Sequence, residues 1–141
     1  MVTLKFFYMF YGYAESESLH NPLILNDYKP VKIVIEYVQT SVNHPYVHAY
    51  YFRFKDNEIL KQVNRFAKET LPEWYQLFWS KDTVYAIFKN KYFKLKNEGI
   101  GNWKSEEYKQ VQKYGQAHGI EFVYMNFNKN FTRFEETLAK K

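Results

Sequence analysis

The sequence predicts an α+β fold: one domain on a largely antiparallel sheet of about six strands, with interspersed helices. Three observations carry this expectation. Segments that alternate apolar and polar residues come in adjacent pairs joined by short polar turns, as hairpins do. Between the pairs lie segments whose apolar residues recur at three and four positions, as helices facing a core do. The chain has 141 residues, the size of one domain.

The elements follow in order. Thr3–Tyr13 is rich in Phe and Tyr and nearly uncharged, so a central strand buried on both faces is expected. Ala14–Pro30, with Pro22, Asn26, Asp27 and Pro30, reads as a long loop. Val31–Thr40 alternates and predicts a strand whose apolar face carries Val31, Ile33, Ile35 and Tyr37. Ser41–Pro45 is turn-like, and Tyr46–Lys55 returns as the second strand of a hairpin.

Asp56 caps a helix with Ile59, Leu60, Val63, Phe66 and Ala67 on one stripe. Thr70-Leu-Pro-Glu73 has the pattern of a capping box and predicts a second short helix carrying Trp74, Leu77, Phe78 and Trp79. Thr83–Phe88 and Tyr92–Lys96 form a second hairpin turned at Lys89-Asn90-Lys91. Asn97–Asn102 is a loop, and Lys104–His118 a polar helix that Gly119 ends. Ile120–Phe127 alternates as a strand, and Thr132–Glu135 opens a C-terminal helix with Phe134 and Leu138.

Composition narrows the function classes. There are no cysteines, which removes disulfides, zinc–thiolate sites and Cys nucleophiles. Phe6–Tyr11 is too short and too aromatic for a signal peptide, and no stretch approaches the ~20 apolar residues of a membrane span. A cytoplasmic protein without membrane contact is expected. There is no GxxxxGK[ST], and Gly99-Ile-Gly101 lacks the third glycine of a dinucleotide loop. GxSxG, HExxH and EF-hand strings are absent too.

The formal charge is +5, and it is unevenly spread. Between Lys89 and Lys113 seven lysines (89, 91, 94, 96, 104, 109, 113) face three glutamates. Tyr92, Lys94 and Lys96 share one face of the predicted hairpin, where a tyrosine can stack a base and lysines can neutralise phosphate. Lys89, Lys91, Lys109 and Lys113 add charge nearby, and Tyr50 and Arg53 extend such a face. A DNA- or RNA-associated protein without a cofactor is the leading expectation.

The second expectation is catalytic. His44 and His48 flank a strand start, with Glu36 on the preceding strand. Two histidines and a carboxylate can hold Mg²⁺ or Mn²⁺ with open positions. His44 and His48 lie roughly 13 Å apart if extended, so a bend at Pro45 is required. The aromatic run Phe6–Tyr11, the string Tyr46-Val-His48 and a later helix with Tyr108 and Tyr114 resemble in part HUH-type replication and transposition endonucleases. That resemblance implies a metal-dependent nuclease or strand-transfer enzyme, with His48 and Glu36 at the metal and Tyr108 as nucleophile. The chain departs from the pattern in two places. Tyr46 stands where the first His belongs, and Gln112 and His118 replace the Lys four residues after each Tyr.

The third expectation is a non-catalytic, inhibitor-like interaction module of the kind small viral proteins supply. The chain holds 14 Tyr, 13 Phe and 3 Trp, and aromatics left on a surface mark protein interfaces. Trp74, Tyr75, Trp79 and Trp103 are the candidates, for a homodimer or another protein.

Overall fold

The computed structural model of the protein describes residues 9–37, 45–99, 101 and 103–127. Its strands are β1 (Met9–Glu15), β2 (Pro30–Tyr37), β3 (Tyr46–Lys55), β4 (Gln76–Trp79), β5 (Thr83–Phe88) and β6 (Lys91–Lys96). They form one sheet in the order β2-β3-β1-β4-β5-β6, and every pairing is antiparallel. Helix α1 is Ile59–Glu69 and helix α2 is Glu106–Ala117. The expected α+β architecture on an antiparallel sheet is what the chain adopts. The loop after β1 contains two 3-10 turns, Ser16–Ser18 and Pro22–Asp27.

Strand β1 lies at the centre, as its aromatic, uncharged run requires. Alternate residues feed two cores. On one face Phe10, Phe52, Phe78 and Ile87 meet Val63 and Phe66 of α1 and Leu25 and Tyr28 of the loop. On the other, Tyr13, Tyr51, Leu77 and Phe88 meet Tyr108 and Val111 of α2, with Met125 and Phe127 behind them. The domain is therefore three layers deep, with α1 and α2 on opposite faces of the sheet. Gly12 makes the first core possible: a Cβ there would lie 2.3 Å from the Phe52 ring. A strand glycine of this kind marks close approach.

Two elements differ from expectation, and each has a local cause. Residues 76–79 are strand, not helix. Leu77 and Trp79 enter one core while Phe78 enters the other, a two-residue period that no helix supplies. Thr70 caps the end of α1 instead of opening a new helix: its N–H and its Oγ1 both reach Phe66 O, at 2.8 and 2.6 Å. The strand expected over Ile120–Phe127 is a 3-10 turn at Phe122–Met125. Ile120, Met125 and Phe127 are buried, while Phe122, Val123 and Tyr124 are exposed. Gly115 admits this packing, since a Cβ on it would lie 2.8 Å from Met125 Sδ.

Two smaller corrections concern burial. Leu60 is exposed, and Gln62 takes a buried place on α1 by accepting the Tyr28 hydroxyl proton. Ile33, Ile35 and Tyr37 face water, because the sheet extends past α1, which lies towards β5 and β6. Gly119 ends α2 in the left-handed region, φ +90°, as expected. The expected C-terminal helix, most of the Ser41–Pro45 turn and the first residues of the Thr3–Tyr13 strand lie outside the described residues. No described helix is long and apolar enough to cross a membrane.

Candidate nucleic-acid interface

The β5–β6 hairpin is fixed to the end of α1. Asn90 adopts φ +58°, and its N–H donates to Ala67 O at 2.9 Å. Asparagine tolerates this left-handed conformation better than most residues. Lys89 Nζ donates to Lys68 O at 3.1 Å, placing a cation among the last carbonyls of a helix, where the dipole favours it.

Between helix and hairpin lies an open, shallow cleft of about 550 Å³ lined by Asn64, Ala67, Lys68, Asn90, Lys91 and Tyr92. Tyr92, Lys94 and Lys96 alternate along one face of β6 and are all exposed. Their register partners Ile87, Tyr85 and Thr83 place that face on the α1 side of the sheet. Lys61, exposed like Lys68, sits one turn before Asn64 on the same helical stripe. Of the lysines, Lys68 and Lys91 line the cleft beside Tyr92, and Lys61 on α1 and Lys94 and Lys96 on β6 are exposed further along the two elements that bound it.

The expected lysine band divides across the sheet. Lys91 borders the cleft, but its Nζ lies 5.2 Å from the Phe93 ring centroid, on the α2 side. Lys109 and Lys113 are exposed on α2, which covers that opposite face. Lys109 pairs loosely with Glu106 at 3.4 Å, an exposed contact of little energetic weight. Tyr50 and Arg53 do not extend the surface, since β1, β4 and β5 separate β3 from β6. Asn64, Lys61 and Lys68 were not among the expected contacts. Their signal was available, as the polar flank beside the apolar stripe of α1, but nothing local says which flank meets β6.

The catalytic set does not assemble. The register sets His48 opposite Ile35 and Glu36 opposite Val47, so the two side chains leave opposite faces of the sheet. His48 instead meets Glu17, which sequence reasoning missed. Its Nδ1 lies 2.8 Å from Glu17 Oε2, and its backbone N–H donates to Glu17 Oε1 at 2.6 Å. Burial alone would raise the Glu17 carboxyl. The hydrogen bonds from the His48 backbone and ring and from Ser16 Oγ outweigh it and hold the pKa below its ordinary value.

His44 lies outside the described residues. Among the described residues no three His, Asp or Glu side chains are grouped to hold a metal. Tyr108 is buried in the α2-side core, where its hydroxyl donates to Met125 O at 2.7 Å and desolvation raises its pKa. That is a structural tyrosine placed across the sheet from His48.

The expected aromatic docking patch is also displaced. Trp79 and Trp103 are buried, with Trp103 Nε1 donating to Gly99 O at 2.9 Å, and Trp74 and Tyr75 are half-buried. Exposed apolar side chains group elsewhere, at Ile33, Ile35, Tyr37 and Tyr46 on β2 and β3 and at Phe122, Val123 and Tyr124, with Leu23, Leu60 and Tyr92 exposed apart from these groups. Comparison with known proteins finds no matching family model, no matching curated protein and no matching solved structure.

Proposed function

We propose that the protein binds single-stranded nucleic acid, without catalysis, along the trough between α1 and β6. One observation carries the reading: Lys68, Lys91 and Tyr92 line an open cleft between α1 and β6, and exposed Lys61, Lys94 and Lys96 lie on the same two elements. Lysine is a point charge that neutralises phosphate without reading sequence, and stacking on Tyr92 is indifferent to base identity. The reading is therefore of sequence-tolerant binding in which charge supplies most of the affinity. An open trough suits a single strand, whose bases are free to stack, better than a duplex. The separation of His48 from Glu36 and Tyr108 favours binding over strand cleavage.

The test is fluorescence polarisation with labelled single- and double-stranded DNA and RNA at about 50 and about 200 mM salt. Each phosphate neutralised on a single strand contributes about −0.7 to the slope of log affinity against log salt. A slope of at least about −2, with single strands preferred, is expected. No binding at the lower salt overturns the proposal.

A further inference from the structure

Among the described residues strand β2 is an edge of the sheet, and its side chains are arranged symmetrically. Lys32-Ile33-Val34-Ile35-Glu36 reads outward from Val34 as isoleucine on both sides, then a cation on one side and an anion on the other. Ile33 and Ile35 are 48% and 64% exposed, and Tyr37 beside them is 64% exposed. Edge strands that avoid pairing carry lysines, bulges or prolines. Here the bulge and proline stand only at the start, where the register shifts between Pro30 and Lys32. From Lys32 to Tyr37 the strand is regular.

We propose that β2 pairs antiparallel with β2 of a second copy of this chain, about a two-fold axis through Val34. In that register Ile33 of each copy faces Ile35 of the other, and Val34 faces Val34. Lys32 of each copy faces Glu36 of the other, so both charges are matched twice. Side chains directly opposite in an antiparallel pair share a face, so the isoleucine contacts form on the α1 side and the Val34 and ionic contacts on the α2 side. A shift by one or two residues in either direction loses the charge matching. The interface is isologous, which is what closes a dimer and prevents a fibre. Two six-stranded sheets then join into one, and the two β6 edges lie at its far ends.

This proposal stands apart from nucleic-acid binding, so its test contains no nucleic acid. Sedimentation velocity on the whole chain, from about 1 to about 200 μM, brackets a micromolar dissociation constant. A shift from 17.2 kDa to twice that mass is expected. Ile35→Lys, at an exposed position, removes the dimer while leaving the circular dichroism spectrum unchanged.

The charge register is tested by exchange. Lys32→Glu and Glu36→Lys each place like charges opposite one another and weaken dimerisation about tenfold. Either the K32E/E36K double variant or a mixture of the two single variants restores it, because the opposite charges meet again. That rescue is specific to the proposed register, and a change in folding alone would not produce it. A monomer at every concentration overturns the proposal. So does a dimer that survives Ile35→Lys undiminished, or single variants that stay monomeric when mixed.

Discussion

The two edges of the sheet solve the same problem in opposite ways. Strand β6, Lys91–Lys96, carries three lysines and no acid, and its exposed face is Tyr92, Lys94 and Lys96. Strand β2, Pro30–Tyr37, carries one lysine and one glutamate, and its exposed face is Ile33, Ile35 and Tyr37. Among the described residues neither pairs with a further strand on its outer side. A row of like charges repels another copy of itself and attracts a polyanion. A charge-balanced apolar row does neither. Charge at the edge therefore decides what can approach, and the two ends of one sheet are suited to different classes of partner.

The largest expected effect lies at the charged edge. On the proposed reading, replacing Lys68, Lys94 and Lys96 with alanine should remove three phosphate contacts. The salt slope on single-stranded DNA should fall by about 2 units and affinity by roughly 100-fold at low salt. Polarisation titrations read both, and dimerisation through β2 should be untouched. An equal loss from alanines at Lys109 and Lys113 would move the interface to the α2 face and dissolve the contrast.

The sheet centre supplies the control. Gly12→Ala drives a methyl into the Phe52 ring, which Phe66, Phe78 and Tyr28 hold on several sides. It should cost about 1–3 kcal/mol of stability, read by denaturant unfolding. Below the melting range neither edge should change its binding.

A smaller and more local effect belongs to the hairpin turn. Asn90→Val places a β-branched residue at φ +58° and should cost roughly 1–2 kcal/mol. It should weaken nucleic-acid binding by loosening Tyr92 against α1. Dimerisation should not respond.

The smallest effect is at the β2 end and depends on pH. The Glu17 carboxyl is held below its ordinary value near 4.5 by His48 and Ser16. A lowered folded-state pKa gives stability that is full above the unfolded value and is lost as pH falls through the folded one. Wild type should therefore exceed Glu17→Gln in stability by a constant margin at neutral pH, a margin that shrinks below about pH 4.5. Thermal melts of both proteins across that range measure it.

Much of the architecture was legible because it is written in local periodicity. The alternation in residues 46–55 and 83–96, the stripe on α1 and the cap Gly119 all act over a few neighbours. The failures were tertiary. Thr70-Leu-Pro-Glu73 has the form of a helix start. Burial of Leu77 and Phe78 in separate cores outweighed that local signal. Periodicity also said that Ile33, Ile35 and Tyr37 share a face. It could not say that the helix covering that face stops short of them. The candidate site was half visible for the same reason. Tyr92, Lys94 and Lys96 follow from strand parity, whereas Lys61, Asn64 and Lys68 join them only once α1 has docked. Glu17 was hidden because the residue that meets His48 lies 31 positions away.

The place of β1 in the sheet has a consequence for synthesis. It is the first described strand to leave the ribosome, yet both its neighbours, β3 and β4, come later. At translation speeds of ~5–20 residues per second, β1 waits roughly 3–13 s before Trp79 has been added. During that interval an aromatic strand meant for the middle of the sheet has no partner, and long-range pairing is slow to form even when the partners exist. The yield of this protein in a cell then depends on how promptly residues 46–79 follow, and on what shields Phe10, Tyr11 and Tyr13 until they do.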